Sequence, residues 1–186
     1  METIKLENKS KKQAELAAAK DIVDGFFTIK KVNGREIHIG VDKELKKLLQ
    51  ILIAMGINTE SSCWGHLSDH NGLHENPSLM PNVVISGNLP DREYTYDDIE
   101  KAAKEADAFE LTLNKLLKEF YRERALSDER AKIVVDRFEG MPSFKLRSAT
   151  DNEIRNLPTK TKLLISELSH KEWRDFSLFL ENKFIE

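Results

Sequence analysis

Between Asp42 and Met55 the apolar residues Leu45, Leu48, Leu49, Leu52 and Ile53 recur at three- and four-residue intervals, the spacing of a helix that buries one stripe. Asp42 is placed to cap its start and Gly56 to stop it. A longer stripe, Ile99, Ala102, Ala106, Phe109, Leu113, Leu116, Leu117 and Phe120, predicts a helix over Asp97–Ala125, opened by Thr95 and Asp98 and uninterrupted by Gly or Pro. This stripe reads as core, not as a cofactor box. The period shortens to two over Phe26–Val41, where Ile37, Ile39 and Val41 share a face and Asn33-Gly34 supplies the positive-φ pair of a type I′ turn. That register sets Lys31 opposite Glu36 and puts His38 on the other face beside Ile29, a structural position. Ile57-Asn58-Thr59 re-enters the sheet. Asn82–Ser86 reads as a short strand with Gly87-Asn88-Leu89-Pro90 turning out of it, and Ile133–Asp136 with Phe144–Arg147 as a second hairpin around Glu139-Gly140-Met141-Pro142. Capping-box spacings at Ser10–Gln13, Thr150–Glu153 and Ser169–Glu172 mark three further helix starts. The first runs to about Asp24 with Gly25 as its stop, and the last carries Trp173, Phe176, Leu180 and Phe184.

Helices and antiparallel hairpins without strand–helix–strand alternation define an α+β fold: a mainly antiparallel sheet of hairpins backed by two or more long helices. At 186 residues the expectation is a single domain, 1–186, with an N-terminal helix within 1–25 and C-terminal helices over 150–186. The sheet is expected to combine the hairpins Phe26–Val41 and Ile133–Arg147 with Asn82–Ser86, backed by the helices Asp42–Met55 and Asp97–Ala125.

Composition narrows the function classes. Apolar residues make up 40% of the chain, enough for a sizeable core, and the net charge of −3 leaves no basic excess to draw nucleic acid or acidic lipid. Lys5, Lys9, Lys11, Lys12 and Lys20 form at most a local basic face, read as solvated surface. The single cysteine suits a reducing compartment, and Met1–Lys12 lacks the apolar stretch of a signal peptide. The longest apolar run, Leu48–Met55, is too short to span a bilayer. The expectation is a cytoplasmic protein without a membrane partner, open to a small-molecule ligand.

The rare side chains gather in Thr59-Glu60-Ser61-Ser62-Cys63-Trp64-Gly65-His66. Were Ser62 to cap a helical turn, Cys63 would sit at a positive helix end that favours the thiolate, and His66 would face it across one turn as base or ion-pair partner. Ser61, Ser62 and the amides after them are then anion contacts, with Gly65 supplying backbone freedom. In the bland alternative Cys63 is a small buried hydrophobe and His66 a satisfied polar residue, so that the motif only shapes a non-catalytic interaction protein. A third reading takes Cys63, His66, His70 and His74 as zinc ligands at C-x2-H-x3-H-x3-H spacing, against which stands the lack of a distant ligand pair. The fifteen residues Leu67–Pro81 are long for a connection, carry His70 and His74, and are expected to wall or cover the Cys63–His66 site with Gly72 as a hinge. His70 and His74 are read as auxiliary contacts in preference to zinc ligands.

Gly56-Ile57-Asn58-Thr59 followed by Ser62-Cys63-Trp64-Gly65-His66-Leu67 resembles an uncharacterised bacterial family marked by G-I-x-T-x-x-S-C-E-G-H. Leu113, Leu116-Leu117 and Glu119-Phe120-Tyr121 are similar to that family's L-x-x-L-L-x-E-F-Y, and Phe144-Lys145-Leu146 to its F-R-L strand, so the resemblance covers about Asp42 to Leu146. It implies a site at the motif without implying a reaction. Trp64 stands where the family has Glu, so any work of that carboxylate does not carry over. A more distant similarity links Ser61-Ser62-Cys63-Trp64-Gly65-His66 to the S-S-C-S-G-R motif of the wybutosine-synthesis methyltransferases, which would imply S-adenosylmethionine and tRNA; His66 replaces the Arg.

Overall fold

The computed structural model orders the chain as α1 (Glu2–Gly25), β1 (Thr28–Val32), β2 (Arg35–Ile39), α2 (Lys46–Ala54), β3 (Thr59–Cys63), β4 (Asn82–Ser86), α3 (Tyr96–Phe120), a 3-10 turn (Glu129–Ala131), β5 (Val134–Arg137), β6 (Ser143–Arg147), α4 (Asp151–Arg155) and α5 (Thr159–Ile185). It describes residues 2–25, 28–32, 35–39, 44–63, 65, 80–90, 92–138, 141–149 and 151–186; within these, the side chains of 2–7, 28–32, 35–39, 63, 151 and 152 are not described.

The stripe of α2 is buried at Leu48, Leu49 and Leu52 and is joined by Ile51. The helix ends as Gly56 predicts. Gly56, at φ 76°, donates to Ile53 and Ile57 donates to Leu52, which closes the last turn in a Schellman motif and leaves Ile57 buried. Asp42, expected to cap this helix, lies outside the described residues. Helix α3 opens on a reciprocal capping box, with Thr95 Oγ1 accepting from the Asp98 amide and Asp98 accepting from the Thr95 amide. Its stripe buries Ala102, Ala106, Leu113, Leu117 and Phe120, and it ends five residues before Ala125.

Two capping-box expectations are corrected. Ser10 lies inside α1, which already runs from Glu2, and Ser169 lies inside the uninterrupted helix α5. A Ser-x-x-Gln or Ser-x-x-Glu spacing favours a start only where the preceding residues leave the helix, and here they continue it. Thr150 is outside the described residues.

The α+β class is as expected, but the sheet is assembled differently. The hairpin β1–β2 pairs antiparallel with Lys31 opposite Glu36 and Ile29 opposite His38, yet it forms a two-stranded sheet of its own. The main sheet is four-stranded and antiparallel in the order β3-β4-β6-β5. Its β3 is the re-entering segment, beginning at Thr59 and carrying the motif's serines into the sheet. Alternation along β4 and β6 points Val83, Ile85, Phe144 and Leu146 into the core. Against these strands packs α3, while α5 meets α1, α2 and α3. The main cluster joins Val23, Leu52, Ile85, Leu113, Phe144, Trp173 and Phe176. A smaller one holds Met80, Ala149, Ile154 and Ile165.

Candidate functional site

The motif lies on an edge strand. Ser61 pairs with Val84, Ser62 with Val83 and Cys63 with Asn82, after a bulge at Glu60. Ser62 therefore does not cap a helical turn: it is extended strand, and Cys63 ends that strand, so no helix N-terminus stands at Cys63 to favour its thiolate. The valines opposite explain the choice, because pairing residues 59–63 with β4 satisfies the edge of a strand whose Val83 and Ile85 are buried. Ser61 is exposed and Ser62 half-buried. The Cys63 side chain and all of His66, His70 and His74 lie outside the described residues, as do Gly72 and the rest of 66–79, so the lid expectation does too.

The described residues define how this excursion is closed at its base. Gly65 is buried at φ 82°, and a β-carbon built on it would lie 2.6 Å from the carbonyl carbon of Met80, 2.7 Å from its Cα and 2.8 Å from Pro81 N. Only glycine fits that conformation and that approach. Asn82, opposite Cys63, donates from its side-chain amide to the Met80 carbonyl at 3.1 Å. Met80 itself is 1% exposed, seated with Ala149, Ile154 and Ile165. The two ends of the segment are thus clamped together and fastened to α4 and the start of α5. The value of Gly65 is legible in the motif as a demand for backbone freedom, but its partner, Met80, is not.

A second polar centre escaped the sequence reading. Arg124, just past α3, donates to Glu172 at 3.0 Å and to Asp175 at 2.8 Å on α5, and stacks over Phe120 with its guanidinium carbon 4.4 Å from the ring centroid. The Tyr121 hydroxyl accepts from the Ile133 amide at 2.9 Å. Burial drives the Tyr121 phenol well above its ordinary range, with the nearby Glu172 carboxylate pushing the same way. Glu172 is the residue whose spacing from Ser169 suggested a helix start. It is instead the buried partner of a cation 48 positions earlier. Its chemistry is that of a clamp between α3 and α5, made through one guanidinium nitrogen of Arg124, while Arg124 Nε and Glu172 Oε2 are buried without a hydrogen-bond partner among the described residues.

Among the described residues no group of three His, Cys, Asp or Glu side chains has metal-binding geometry, and no helix is long and apolar enough to cross a membrane. Comparison with protein-family models, with curated proteins and with solved structures found no match. The fold and site define the chain by class alone: an α+β protein with a glycine-closed excursion at the edge of its sheet.

Proposed function

We propose that the protein binds a small anion or other small polar molecule at the Ser61–His66 motif, with Cys63 as the reactive thiol, His66 as its base or ion-pair partner, and Ser61, Ser62, Gly65, His70 and His74 as binding contacts. The observation that carries this reading is the glycine-only contact of Gly65 with Met80 and Pro81. A reactive pair works only when its backbone is held to a fraction of an ångström, and this contact holds the chain two residues beyond Cys63. With no helix end at Cys63, lowering of the thiol pKa falls to His66. The cellular setting that fits a lone cysteine of this kind is the cytoplasm.

A non-catalytic interaction protein is the second reading. It is favoured by Leu89, Tyr94, Tyr96 and Ile99, all exposed around the start of α3, with Tyr96 at 80%. In that case the motif serves only to close the excursion.

Alkylation of Cys63 by iodoacetamide, followed across pH in wild type and in His66→Asn, separates the two. The first reading expects a thiol titrating below the ordinary value of about 8.5 and returning toward it in the variant. A cysteine that stays inert until the protein unfolds selects the second. Stoichiometric zinc in the purified protein, lost in both His70→Ala and His74→Ala, would replace either with a metal site.

A further inference from the structure

Helices α1, α3 and α5 and the end of α2 enclose a half-open cleft of about 180 Å³, lined by Lys12, Met55, Leu116, Leu180, Lys183 and Phe184. It is built from none of the motif residues. Leu180 is buried and Met55, Leu116 and Phe184 are half-buried, so the floor and walls are apolar. The two ammonium groups at its rim differ. Lys183 lies 2.5 Å from a Glu119 carboxylate oxygen and 3.9 Å from one of Glu186, so its charge is answered within the protein. Lys12 is half-buried with its ammonium 6.0 Å from the centroid of the Phe184 ring, and among the described residues it has no carboxylate partner.

An ammonium with no carboxylate partner among the described residues, set beside an apolar recess, is complementary to an amphipathic anion. A carboxylate gains a charge-assisted contact there and its hydrocarbon gains burial. Size narrows the class further, because an apolar cavity of about 150 Å³ accommodates benzene, and a cleft of about 180 Å³ open at one side takes roughly six to ten non-hydrogen atoms. We propose that the cleft binds a short amphipathic carboxylate, a fatty or aryl acid, with Lys12 holding the carboxylate and Leu116, Leu180, Met55 and Phe184 surrounding the tail. A dianion or a bare inorganic ion is disfavoured, since the apolar walls offer it nothing and Lys183 is already engaged. A long acyl chain is disfavoured by volume.

The test is titration of the full chain with hexanoate and, as its neutral counterpart, 1-hexanol, read by amide chemical-shift changes. Hexanoate is expected to shift residues of the cleft and to bind more tightly than hexanol. Lys12→Met should weaken hexanoate roughly fivefold or more while leaving hexanol nearly unchanged. Leu116→Trp, which fills the recess from a half-buried position, should abolish both. Cys63→Ser should bind hexanoate as wild type does, so failure of the thiol–imidazole reading leaves this site standing. The proposal is overturned if hexanoate at millimolar concentration shifts no residue of the cleft, if the acid and the alcohol bind alike, or if Lys12→Met retains wild-type affinity for the acid.

Discussion

Gly65→Ala tests the contact on which the candidate site rests, and three other glycines supply its controls. The new methyl would sit 2.6–2.8 Å from three backbone atoms of Met80 and Pro81. Carbon contacts are comfortable at about 3.5–4.0 Å, so each overlaps by roughly 1 Å, and neither partner is a side chain that can swing away. Overpacking of this kind costs about 1–3 kcal/mol. The left-handed conformation, φ 82°, adds about 1–2 kcal/mol for any residue with a β-carbon. Together they amount to roughly 2–5 kcal/mol. Gly56→Ala shares the conformation, at φ 76°, but a β-carbon there meets nothing within 4 Å. It should lose only the backbone part, about 1–2 kcal/mol. Gly25, the last residue of α1, has neither restriction, and its Ala variant should be neutral or slightly stabilising. Gly87→Ala should be at least as severe as Gly65→Ala, because its β-carbon would lie 1.8 Å from the Ala102 carbonyl oxygen on α3. Equilibrium unfolding in urea, followed by fluorescence with the 1%-exposed Trp173 as a core reporter, measures all four. If Gly65→Ala loses no more than Gly56→Ala, the glycine contact with Met80 does not hold the excursion, and the positional argument for Cys63 fails with it.

The clamp between α3 and α5 yields another expectation. Arg124→Met leaves the carboxylate of Glu172, whose side chain is 9% exposed, buried without its cation, while Arg124 itself is 31% exposed. The loss should be about 2–3 kcal/mol, below the range for a wholly buried pair, and Arg124→Met/Glu172→Leu should recover part of it; additive losses in that cycle would refute the coupling. The acid limb of stability follows from carboxyl groups held below their ordinary range: Asp98 by the Thr95 amide and then Arg92, Glu119 by Lys183, and Asp128 by Arg130. Their folded pKa values are depressed, so the unfolded chain binds more protons. Their stabilisation is present above about pH 4 and is lost as pH falls through the folded values, which thermal melts from about pH 6 to 2 should trace. Tyr121 contributes on the alkaline side with the opposite sign, because burial raises its folded pKa and the unfolded phenol ionises first. Stability should fall above about pH 10, and an ultraviolet titration should find one of the three tyrosines protonated until the protein unfolds.

Local patterns carried much of the architecture. The stripes of α2 and α3 are written in three- and four-residue spacings, the Schellman stop at Gly56 and the capping box at Thr95 in a handful of adjacent residues, and the Lys31–Glu36 register in the spacing about Asn33-Gly34. These interactions close within a few positions, so neighbouring residues suffice to specify them. The same locality misled at Ser10 and Ser169, where a start signal lies within a helix that its flanks and its packing continue. Pairing between strands is decided elsewhere. The sequence marked Ser61, Ser62 and Cys63 as chemically unusual, but their placement in a strand depended on the buried Val83 and Ile85 of β4, and the sheet's order on which edges could be covered at once. Burial of Glu172 was set by Arg124 on another element, and the requirement for glycine at 65 by the backbone of Met80, brought to it only when the chain returns to the sheet. A short pattern records what a residue can do with its neighbours along the chain, whereas these choices belong to neighbours in space, which exist only once the core has formed.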